Sequence, residues 1–109
     1  MTVPRRILRP WHKFDASLRR ALPTATLDLA LRRTTANLTS TPWQDPPPND
    51  PAEALLLEAV DALCTTRMIP PLLWTALLPH YTPTQLTALC LAVGDRATTT
   101  MLTTTTNFP

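Results

Sequence analysis

Apolar residues recur at intervals of three and four along the second half of the chain, the period of one helix face. Between residues 51 and 66 the stripe is Leu56, Val60 and Leu63, widened by Ala59 and Cys64, with Glu58 and Asp61 off it. Asp50 precedes Pro51 and Glu53, so an acidic cap, a proline in the first turn and a boxed glutamate predict the start of this helix. A second, short helix is predicted from Pro71 to about Leu78, burying Leu73, Trp74, Leu77 and Leu78, with Pro79 as its stop. The third opens on Thr82-Pro83-Thr84-Gln85, a capping box, with Tyr81 placed to staple onto Leu86. Its stripe is Leu86, Leu89, Cys90, Val93, Ala97 and Met101, and the threonine-rich end predicts fraying after Leu102. Gly94 falls inside it at a cost of about 1 kcal/mol relative to alanine, which predicts another helix passing closely there.

Upstream the signals weaken. Thr24 or Thr26 can cap a helix running to about Leu38, with Leu27, Ala30, Leu31 and Thr34 inward and Leu29 off the stripe. Residues 39–51 carry three consecutive prolines at 46–48, which no helix or central strand can contain. Trp43 beside them is suited to pin that loop to a core. Residues 1–13 receive no element. The expected division is a basic N-terminal arm over 1–21, a helix over 22–38, a Pro-rich linker over 39–50 and a helical region over 51–109. The fold class is all-α, a small bundle of about four helices completed by oligomerisation.

Composition narrows this further. With 109 residues the chain makes one small domain, and a single glycine disfavours tight-turned β architectures and excludes glycine-rich phosphate loops. The net charge of +2 conceals a split. Residues 1–33 hold eight basic groups against Asp15 and Asp28, whereas residues 34–109 hold Arg67 and Arg96 against six acids. Such a basic segment suits a polyanion or an acidic partner. Its basic residues are expected to share no single helix face, with Trp11 and Phe14 free for stacking. On that expectation nucleic acid is not the favoured partner. His12 beside Arg9 and Lys13 is a candidate anion contact. Cys64 and Cys90, twenty-six positions apart, form neither a disulfide framework nor a zinc pattern. No apolar run approaches the ~20 residues of a membrane span, and the expected location is the cytoplasm.

From residue 50 onward, Leu55-Leu56-Leu57-Glu58-Ala59-Val60-Asp61-Ala62-Leu63, Ile69 through Trp74, Tyr81-Thr82-Pro83-Thr84-Gln85-Leu86 and Val93-Gly94 follow one another in an order seen elsewhere. The order and spacing resemble the C-terminal half of carboxymuconolactone decarboxylase-like proteins of the alkylhydroperoxidase D-like superfamily. Leu22-Pro23 and Leu27 to Arg32 look like that family's preceding helix, and Trp43-Gln44 falls near its "eW.qH" element. The resemblance implies a helical oligomer and a pocket for a small aromatic or lactone-like ligand, for which Trp43, Trp74, His80 and Tyr81 are the candidates. The family's working Glu and Cys-x-x-Cys or Cys-x-x-His motif has no counterpart here. Asp45 stands near the expected His, and the triple proline follows. The reading is therefore a degenerate or truncated member with little or no activity, no catalytic residue, no metal and no cofactor. The alternative is a helical binding module whose basic arm contacts nucleic acid or an acidic partner.

Overall fold

In a computed structural model that describes residues 5–106, five helices account for the architecture: α1 (Arg5–Ala21), α2 (Thr24–Thr39), α3 (Pro51–Thr66), α4 (Pro71–Leu77) and α5 (Pro83–Thr106). The described residues contain no strand, so the all-α expectation holds. α2 and α5 form the central pair; α1 covers α5 on one side, while α3 packs on α2 and carries α4. The core gathers Leu18, Leu22, Leu27, Ala30, Leu56, Val60, Leu77, Leu86, Leu89 and Val93 at the junction of these helices.

Local chemistry explains most helix starts. The Asp50 carboxylate accepts from the Ala52 N–H at 2.9 Å, with Pro51 opening α3 as anticipated. Glu53 stays exposed in the first turn, where its charge suits the helix dipole without closing a box. At α5 both halves of the box form: the Gln85 N–H donates to Thr82 Oγ1 at 3.1 Å, and the Thr82 N–H donates to Gln85 Oε1 at 3.0 Å. α2 differs from expectation. Its cap position is Pro23, without a side-chain cap bond, and Thr24 is already helical. Its inner face is nonetheless Leu27, Ala30, Leu31 and Thr34, all buried.

Four further expectations are corrected. α1 occupies a segment given no element, because Trp11, Phe14, Leu18 and Leu22 lie on one side of a helix and pack inward against α5, outweighing the break that Pro10 would favour. α5 runs on to Thr106 rather than fraying after Leu102. In the turn before that point the Thr98 and Thr99 hydroxyls donate to the carbonyls of Gly94 and Asp95 one turn back, so these β-branched residues satisfy their polar groups within the helix. No helix closes on Gly94: nothing lies within 4 Å of where its Cβ would be. Leu78, expected inside, is 41% exposed just past the end of α4.

The proline-rich segment has a topological task. Ala25 and Leu29 border Asp50, Glu53 and Leu57, while Arg33 and Asn37 bond Asp61, so α2 and α3 run in the same direction. Parallel neighbours require a return. Eleven residues between Thr39 and Pro51, extended at about 3.1 Å each, span about 34 Å and exceed the roughly 24 Å length of a 16-residue helix. Arg32 donates to both Asp45 oxygens at 2.8 and 2.7 Å, and the Arg33 guanidinium lies 4.9 Å from the Trp43 ring centroid. Trp43 thus pins the strap to α2, as its position suggested.

Candidate functional site

The most concentrated charge sits on α1. At 100° per residue, Arg6, Arg9, Lys13 and Arg20 share one side of the helix, opposite Trp11, Phe14 and Leu18. All four cations are exposed, and none has an ion-pair partner among the described residues. Arg19 lies off this face and is committed to Asp15 at 3.1 Å and Asp28 at 3.7 Å. The eight basic residues of 1–33 as a set share no single face, as expected, with Arg32 and Arg33 on α2, but four of them do align; the spacing of three, four and seven was the available signal. Trp11 and Phe14 are half-buried on the inner side of α1, where they line a cleft with Cys90 and Leu91 of α5 and face away from the basic side. His12 is exposed next to Lys13 at the edge of the basic face.

The four residues proposed for a ligand pocket divide between two places. Trp43 lies under Arg32 and Arg33 on the strap. Trp74, His80 and Tyr81 occupy the corner from α4 into α5, where the His80 and Tyr81 N–H groups both donate to the Leu77 carbonyl. Trp74 is half-buried against the core and His80 is exposed. The Tyr81 hydroxyl donates to the Ala52 carbonyl at 3.1 Å, tying this corner to the start of α3. Burial, with the charges of Asp50 and Glu53, pushes this phenol above its ordinary range, so it remains a donor. These contacts are architectural.

Cys64 on α3 and Cys90 on α5 are free, half-buried thiols, and both line one groove. Burial pushes both thiols upward, at Cys64 with reinforcement from Asp61 and against the opposing effects of Asn37 and Arg67. A raised thiol is a poor nucleophile at neutral pH. Among the described residues no group of three or more His, Cys, Asp or Glu side chains could hold a metal ion.

Asp61 organises the α2–α3 contact. It accepts from Arg33 Nε and Nη2 at 2.8 and 2.7 Å and from Asn37 at 2.9 Å. The Arg33 bonds hold its carboxyl below the usual range, against burial and with help from Asn37. A depressed carboxyl stabilises the fold above its unfolded value near 4 and ceases to do so as pH falls through the folded value. Asp61→Asn should therefore lower the urea midpoint at pH 7, and the gap from the parent should close toward pH 3. An equal gap at both values would remove Asp61 from the acid response.

No described helix is long and apolar enough to cross a membrane. Comparison with protein-family models, with curated proteins and with solved structures returns no match for the chain.

Proposed function

We propose that the chain is a non-catalytic helical binding module whose α1 grips the phosphate backbone of nucleic acid. The observation that carries this is the alignment of Arg6, Arg9, Lys13 and Arg20 on one exposed face with no ion-pair partner among the described residues. From Arg6 to Arg20 the face runs about 21 Å, long enough to meet several phosphates. Arginine supplies three of the four cations, and its planar fork matches phosphate oxygens bidentately. The first turn of α1 also lacks an acid, and cations there oppose the helix dipole. A bound phosphate offsets that cost. With Trp11 and Phe14 turned inward, contacts are to the backbone, so duplexes of different sequence should bind alike.

The test is fluorescence anisotropy of a labelled duplex across a salt series. Four phosphate contacts predict a slope of log K against log salt near −3.6, which is about a hundredfold loss between 50 and 200 mM. Binding that is absent at low salt, or flat across the series, overturns the reading. Kinship with carboxymuconolactone decarboxylase-like proteins is proposed only for the scaffold from residue 50 onward. The residues that carry that resemblance cap, pack and turn.

A further inference from the structure

A large apolar opening lies on another part of the molecule, between the C-terminal ends of α2 and α3 and the middle of α5. It encloses about 860 Å³ and is walled by Leu38, Leu63, Cys64, Val93, Ala97 and Met101. Gly94 keeps its floor open, since a Cβ there would meet nothing within 4 Å. Met101 is 64% and Leu38 40% exposed, so the walls are wet. Only one lining residue is charged: Arg67, the residue that ends α3 in a left-handed conformation at φ 67°. Its guanidinium donates to the Cys64 carbonyl at 2.6 Å, which fixes it at the mouth. The nearest acid of α3, Asp61, is already matched by Arg33 and Asn37, so Arg67 has no ion-pair partner among the described residues.

We infer that this groove binds a single-chain amphiphile with an anionic head, a long-chain carboxylate, its tail along Gly94 and Ala97 and its carboxylate on Arg67. The size falls within the range of small-molecule sites, and one convergent charge in an apolar cleft is the pattern such sites use to orient a ligand. The occupant is fixed by charge complementarity. A second copy of the chain would supply apolar surface but leave Arg67 without an anion.

Isothermal titration with dodecanoate and with dodecan-1-ol tests this on the full chain. Dodecanoate should bind one to one, about tenfold more tightly than the alcohol. Arg67→Gly, which keeps the left-handed backbone, should erase that preference while sparing alcohol binding. Gly94→Leu should weaken both ligands by occupying the floor, with circular dichroism confirming that the helices persist. Reversal of Arg9 and Lys13 on α1 should change neither titration, which separates this site from the nucleic-acid face. Absence of saturable dodecanoate binding, equal affinity for acid and alcohol, indifference to Gly94→Leu, or a dimer that excludes dodecanoate each overturns the inference.

Discussion

Reversing Arg9 and Lys13 to glutamate together is expected to lower duplex affinity by about a hundredfold or more at low salt while leaving the fold intact. The two residues lie one turn apart at the middle of the exposed face of α1, so both contacts are lost and two repulsions replace them. Glutamate forms helix about as readily as arginine and lysine, and neither parent side chain is bound to anything else among the described residues. Thermal midpoints should therefore move little. Neutral replacement of both by alanine should give an intermediate loss and a salt slope shallower by about two. Arg19→Glu is the contrasting case, since Arg19 is occupied by Asp15 and Asp28 off the face. It should perturb stability more than affinity. If the doubly reversed chain binds duplex as the parent does, α1 is not the interface.

What could be read without coordinates depended on how local the physics is. The buried face of α2, Leu27 through Thr34, follows from the helical period alone, and the Thr82–Gln85 box needs only four consecutive residues. α1 was hidden because Pro10 signals a break, and only docking on α5 reveals that Trp11, Phe14 and Leu18 form a face. Once that face is fixed inward, the basic side opposite it becomes visible. The continuation of α5 past Leu102 runs against the β-branched propensity of threonine, which is why the sequence pointed to an earlier end. Gly94 misled because a helix glycine usually marks a close neighbour, whereas here it leaves a groove open. The strap was legible as a linker, yet its direction was not, because Trp43 and Asp45 meet α2 ten or more positions back along the chain. The proposed four-residue pocket came from a resemblance; the Tyr81 hydroxyl bond to Ala52 of α3 joins residues 29 positions apart and was not legible from spacing.

Leu89→Ala should be among the most damaging single substitutions, costing about 3 kcal/mol within a usual range of 2–5. Leu89 is fully buried where α5 meets α2, the most extensive helix pair in the fold. Its removal leaves a void within the buried cluster that packed helices on either side collapse only partly to fill. For a domain of this size the midpoint of thermal unfolding should fall by about 12 °C. Two other substitutions should behave differently. Leu72, 88% exposed on α4, can become alanine at almost no cost. Gly94→Ala should raise stability by about 0.5–1 kcal/mol, because the position is inside a helix, exposed, and has nothing within 4 Å to clash with the new methyl. Urea denaturation of the three variants beside the parent reads all these effects at once. A loss at Leu89 below about 1 kcal/mol would mean that α5 does not pack on α2 as described, and the groove and the basic face, both positioned by α5, would lose their footing with it.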